Sequence, residues 1–147
     1  MSAVYASLIA VIGTLLGSLS TYLFQQRAAA GAREDRLRQE RLAAFSEFAG
    51  AVTTLKTGVV AAWLRRDNPG EHRAALAEAD RLGSLAETAR FRLLLVSGQP
   101  EPLANTAFGY MGTLRHAPDL PALEAAQADF EVAVSAFILD AHQRFAR

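Results

Sequence analysis

The chain has 147 residues, carries 15 basic and 15 acidic side chains, and contains no cysteine. Zero net charge leaves no global field to gather nucleic acid or an acidic substrate. The lack of cysteine excludes a disulfide framework, a thiol nucleophile and a thiolate metal site, and it fits a reducing compartment.

The chain opens on Ala3 to Phe24, AVYASLIAVIGTLLGSLSTYLF, 22 residues without an ionisable side chain. As a helix this run is about 33 Å long at ~1.5 Å per residue, against roughly 30 Å of hydrocarbon. In lipid every backbone N–H and C=O must be paired within the segment, so the pattern predicts a single transmembrane helix over 1–26. Tyr5 and Tyr22 stand near its two ends, where an amphipathic ring suits the headgroup level, and Gln25, Gln26 and Arg27 close it.

No Lys or Arg precedes the run, whereas Arg27, Arg33, Arg36, Arg38 and Arg41 follow it closely. That asymmetry predicts a single-pass protein of the plasma membrane, with its N-terminus outside and its C-terminal part cytoplasmic. A cleaved signal peptide is the competing reading. Ala28-Ala29-Ala30 offers a small-residue site, but the run lacks a positive n-region and exceeds the usual h-region. A buried core helix is a third reading, against which stands apolar character all round the helix for this length.

Along the run, Ala6, Ala10, Gly13, Gly17 and Ser20 recur on one face, and Gly13 to Gly17 is a GxxxG. Small residues let two helix backbones approach closely enough for dispersion to drive association in lipid, which predicts a homo-oligomer. The alternative is that Gly and Ala are simply common in spans.

Residues 27–44 form a charged connector. Glu34 and Arg38 stand at i, i+4, and the five arginines against Glu34, Asp35 and Glu40 leave a local charge of +2. Its arginines read as an orientation signal on a solvated helix, or more sharply as a contact to lipid headgroups.

Residues 45–147 are predicted to form a cytoplasmic antiparallel helical bundle, three long helices and one short, in an all-α chain. The five prolines, at 69, 100, 102, 118 and 121, punctuate it. The first helix is predicted to run unbroken from about Ala3 to Arg66, with Gly31 its weakest point. Its Phe45, Phe48, Val52, Leu55, Val59 and Ala62 step as a coiled-coil-like a/d seam, and Trp63 caps that core. Asp67-Asn68-Pro69-Gly70-Glu71 couples a turn to a helix start. The second helix, about Pro69 to Val96, places Leu82, Leu85, Ala89, Leu93 and Val96 in its buried stripe, and Gly98 ends it. A short third helix carries Leu103, Ala107, Tyr110, Met111 and Leu114. Gly109 and Gly112 each cost it roughly 1 kcal/mol, which predicts a bend or partial loop. The last helix buries Leu123, Phe130, Val134, Phe137, Ala141 and Phe145.

No catalytic, cofactor-binding or metal-ligating constellation is predicted. His72, His116 and His142 fall on separate elements without HExxH or HxxxH spacing, and there is no Walker A, GxGxxG or GxSxG. The acids threaded through the arginine run argue against nucleic-acid binding.

The order of VIGTLLGSLSTYLFQQR, REDRLRQERL and AAFSEFAGAV, over roughly residues 7–66, resembles small single-span actinobacterial proteins of the KilB-like kind, linked to the spread of conjugative plasmids. The resemblance implies no catalytic residues, and Asp67 to Arg147 takes no part in it. The leading expectation is therefore a non-enzymatic membrane anchor, with the lipid bilayer, a second copy and an unidentified protein as partners and a role in plasmid spread. A membrane-perturbing, toxic oligomer is the alternative, and a small-molecule sensor bundle the third.

Overall fold

In the computed structural model the described residues form four α-helices and no strand: α1 Ser2–Leu64, α2 Pro69–Ser97, α3 Pro102–Arg115 and α4 Leu120–Phe145. The structure describes the backbone of residues 2–145 and the side chains of residues 31–145. The chain divides into two units, Met1–Gln39 and Glu40–Arg147, a boundary that falls inside the charged connector. The apolar run Ala3 to Phe24 and its small-residue face lie outside the described side chains. Among the described residues no helix is long and apolar enough to cross a membrane.

The helix ends follow from local chemistry. Asn68 is the N-cap of α2: its side-chain oxygen accepts from the Glu71 N–H, and its amide donates to Glu71 Oε1 at 2.9 Å, so cap and third residue satisfy each other. Pro69 follows at the first helical position, where a missing N–H costs nothing. At the other end Gly98 takes φ 70°, a left-handed conformation that glycine adopts freely, and its N–H closes on Leu94 O at 2.9 Å. Asp119 opens α4 in the same way, its carboxylate accepting from the Ala122 N–H at 2.9 Å.

Within Glu40–Arg147 the helices run up and down. Arg41 meets Val96 and Glu47 meets Arg92, which sets α1 antiparallel to α2. Asp80 meets Arg115 and Arg90 meets Asn105, which does the same for α2 and α3. Phe45 with Phe145, and Lys56 with Glu131, set α4 against α1. Short connections make each neighbour antiparallel, the geometry of a four-helix bundle.

The centre of that bundle is aromatic on one side and small on the other. Phe45 stacks on Phe137 with ring centroids 5.2 Å apart, and Phe48 meets Phe137 edge-on at 5.3 Å, both favoured arrangements for ring quadrupoles. Phe48, Val52, Leu55, Val59 and Ala62 of α1 are buried, as are Phe130, Val134 and Phe137 of α4.

Between α1 and α2 the filling is alanine. Ala79, Ala86 and Ala89 are buried with Leu93, whereas Leu82 is half-buried. Leu85, placed in the buried stripe by its apolar character, is instead 52% exposed. The cause is close packing. The α2 face toward the core steps through 79, 82, 86, 89, 93 and 96, and this regular 3,4 spacing puts Ala86 where Leu85 was expected. Gly58 on α1 completes the approach, since a Cβ there would come within 2.7 Å of Leu82 Cδ1 and 3.6 Å of Ala79 Cα.

The third helix is also unlike its expectation. It is helical throughout 102–115, and Gly109 and Gly112 both face open space. Ala104, Ala107, Met111 and Leu114 supply enough burial to hold it. Neighbour packing thus offsets the intrinsic cost of two glycines.

Three substitutions check this packing by urea unfolding. Phe48→Ala lowers the unfolding free energy by about 3–5 kcal/mol, while Leu85→Ala stays within about 0.5 kcal/mol of the parent. Gly109→Ala raises stability by about 0.5–1 kcal/mol, because it gains helix propensity and meets no neighbour.

Candidate functional site

The described arginines of the connector divide. Arg33, Arg36 and Arg38 are exposed, and Arg27 lies outside the described side chains. Arg41 plays a structural part. Its Nε donates to Val96 O at 3.3 Å, placing a cation on the carbonyl end of α2, where the helix dipole favours it.

At this same end of the bundle sits Glu101, the one charged residue buried among those described. Pro102 behind it opens α3, and the Glu101 side chain, making no cap bond of its own, accepts twice from Arg144 Nη1 at 3.0 Å. Arg144 also pairs with Asp140 at 2.6 Å. Burial works against the Arg144 charge, but the Glu101 and Asp140 carboxylates outweigh it and hold the guanidinium above its ordinary value. The pair therefore pins the start of α3 to the end of α4. Its chemistry is structural, because both groups are committed to each other. The sequence reading missed it, since nothing local marks residues 43 positions apart as partners.

Exposed apolar side chains also gather at this end. Leu42 of α1, Phe91, Leu94 and Leu95 of α2, and Ile138 and Leu139 of α4 are all exposed, Leu95 at 82%. Leu42 and Ile138 flank an apolar groove of about 280 Å³ between α1 and α4, floored by Phe45, Ala49 and Phe137. Isolated surface leucines need no explanation, whereas Leu42 and Ile138 share an apolar groove with Phe45 and Phe137, the kind of feature that suits an interaction surface; Phe91 and Leu94 line a separate hollow between α2 and α3.

The opposite end is different. There a cavity of about 200 Å³ lies among the end of α1, the start of α2 and the end of α3. Trp63 forms one wall, and its indole N–H donates to Ala117 O at 2.8 Å. His72 Nδ1 lies 2.9 Å from Ala62 O; a carbonyl only accepts, so that nitrogen carries the proton. His72 and His116, far apart in sequence, line this one cavity with Arg66 and Arg115. Among the described residues no group of three or more His, Asp or Glu is arranged to hold a metal ion.

An antiparallel four-helix bundle, its charges largely spent on pairs between or along helices and several exposed apolar side chains at the Arg41 end, defines a helical-bundle protein. Its relationship is more specific than that: the chain belongs to the KilB plasmid transfer protein family, whose model matches residues 42–145. The match covers the bundle, including the stretch from Asp67 onward in which sequence reading found no resemblance, and it shares only residues 42–66 with the stretch that carried it. No curated protein and no solved structure matches the chain.

Arg144→Ala leaves the Glu101 carboxylate buried without its partner. The expected loss in urea unfolding at neutral pH is about 2 kcal/mol, below the full cost for a buried pair because Arg144 keeps 40% exposure. Glu101→Gln, which removes the charge and keeps the shape, should cost less than Arg144→Ala.

Proposed function

We propose that the chain is a non-enzymatic, self-associating membrane anchor acting in plasmid transfer or spread. The family match supports the process. The apolar run Ala3 to Phe24 supports the anchor, and the arginines that follow it support a cytoplasmic bundle.

The observation that carries self-association is the exposed apolar groove between α1 and α4, flanked by Leu42 and Ile138 at the end of the bundle where Arg41 lies, with Leu95 exposed at the same end. A second copy is the occupant that this chain itself supplies. Its Gly13 to Gly17 motif favours pairing of identical helices in lipid, and pairing there raises the effective concentration of one bundle beside another. Zero net charge opposes that approach with no large repulsion.

Because the chain has no cysteine, single-cysteine variants report contacts cleanly. Leu95→Cys and Ile138→Cys in isolated membranes should form disulfide-linked dimers under mild oxidant, while Glu124→Cys, near the start of α4, should not. Leu95→Glu combined with Ile138→Glu should weaken dimerisation at least about tenfold, in keeping with lost leucine-sized burial, and should reduce plasmid transfer in parallel. A chain that stays monomeric in membranes, or one recovered wholly in the soluble fraction, overturns this reading.

A further inference from the structure

The cavity at the other end of the bundle, far from the surface assigned to self-association, has a chemistry of its own. Its walls are apolar: Val59, Ala62, Leu76, Ala79 and the indole of Trp63. Its lining carries the guanidinium groups of Arg66 and Arg115, with the imidazoles of His72 and His116 beside them, and no carboxylate. Arg66 lies with its guanidinium carbon 3.5 Å from the centroid of the Trp63 ring, held by the ring's negative face. Among the described residues no carboxylate pairs with it. Arg115 spends one nitrogen on Asp80 at 2.6 Å and keeps the rest of its fork.

The neighbouring groove between α2 and α3, about 510 Å³, sets Asp80 and Glu87 beside Arg115 and His116. Arg115 and His116 line both hollows, and Asp80 balances Arg115, so Arg66 is the cation that distinguishes the smaller cavity. We propose that this cavity binds a small organic anion that combines a flat apolar body with a carboxylate, the body against Trp63, Val59 and Leu76 and the carboxylate against the Arg66 guanidinium and an N–H of His116.

Size narrows the class. A cavity of about 150 Å³ accommodates a benzene ring, so the roughly 200 Å³ found here takes one aromatic ring and its carboxylate. Drug-sized and nucleotide-sized ligands call for about 300–1,000 Å³ and are too large. A metal ion is disfavoured for another reason, since the charges present repel it. Occupancy would tie together the end of α1, the start of α2 and the end of α3, the three segments that line the cavity, and so make the bundle's stability depend on the ligand. This is a further property, independent of whether the chain self-associates.

Trp63 is the only tryptophan, so emission excited to the red of the tyrosine band reports this cavity alone. Sodium benzoate titrated into the full-length protein in non-ionic detergent should give a saturable change in Trp63 emission and a rise in melting temperature. Benzyl alcohol and benzylamine, which keep the ring and change the charge, and inorganic phosphate, which keeps the charge and lacks the ring, should each bind at least tenfold more weakly. Arg66→Gln and His116→Gln, at exposed positions, should retain the helical circular dichroism of the parent and each weaken benzoate about tenfold or more. The proposal fails if benzoate gives no saturable change up to millimolar concentration, if benzyl alcohol binds as tightly, or if both variants bind as the parent does.

Discussion

The bundle depends on how closely α1 can approach α2 while still holding the phenylalanines of α4. On one side Phe45 and Phe48 close on Phe137, filling the α1–α4 space with aromatic area. On the other side Gly58, Ala79, Ala86 and Ala89 remove side-chain bulk, so the α2 backbone moves in and the core closes. Large against small across one helix is what lets a short chain build a single core from four helices. Trp63 and the Glu101–Arg144 pair then fix the two ends, each by bonds between residues distant in sequence.

The distribution of polar groups follows from the same geometry. Once the inner faces are apolar, charges are left for the outer edges of each helix, where Arg92 finds Glu47 and Arg115 finds Asp80 on the neighbouring helix. Such exposed pairs contribute little to stability individually and more to selecting which helices become neighbours. Arg90 goes further, reaching Asn105 while its guanidinium lies beside both Phe91 and Phe108. Two surfaces are left over from this pairing: an apolar one at the Arg41 end and a basic cavity at the Trp63 end. The first is the surface proposed for a second copy, and the second the one proposed for a small anion, because arginines and an indole wall lower the cost of desolvating a flat acid.

The helices are legible in the chain almost to their ends, for reasons that lie in single residues. Pro69, Pro102 and Pro121 fit only the first turn of a helix, Asn68 and Asp119 cap, and Gly98 terminates. The seam of α1 from Phe45 to Ala62 was legible because large apolar residues mark it without ambiguity. The stripe of α2 was not, since alanine carries little hydrophobic signal while Leu85 carries much, and only the requirement of close approach ranks Ala86 above it. In the third helix intrinsic propensity counts the glycines as a weakness, which the burial of Met111 and Leu114 overrides.

What the sequence determines by itself is therefore the all-helical class, the number and limits of the helices, and the apolar character of Ala3 to Phe24, because each rests on local pattern and backbone chemistry. What only the tertiary structure decides is which residues from different helices share a neighbourhood: Glu101 with Arg144, Leu42 with Ile138, and Arg66, His72 and His116 around Trp63. Local periodicity sets the direction in which each side chain leaves its own helix. The rotation and separation of neighbouring helices, fixed jointly by all the side chains between them, decide what each one meets.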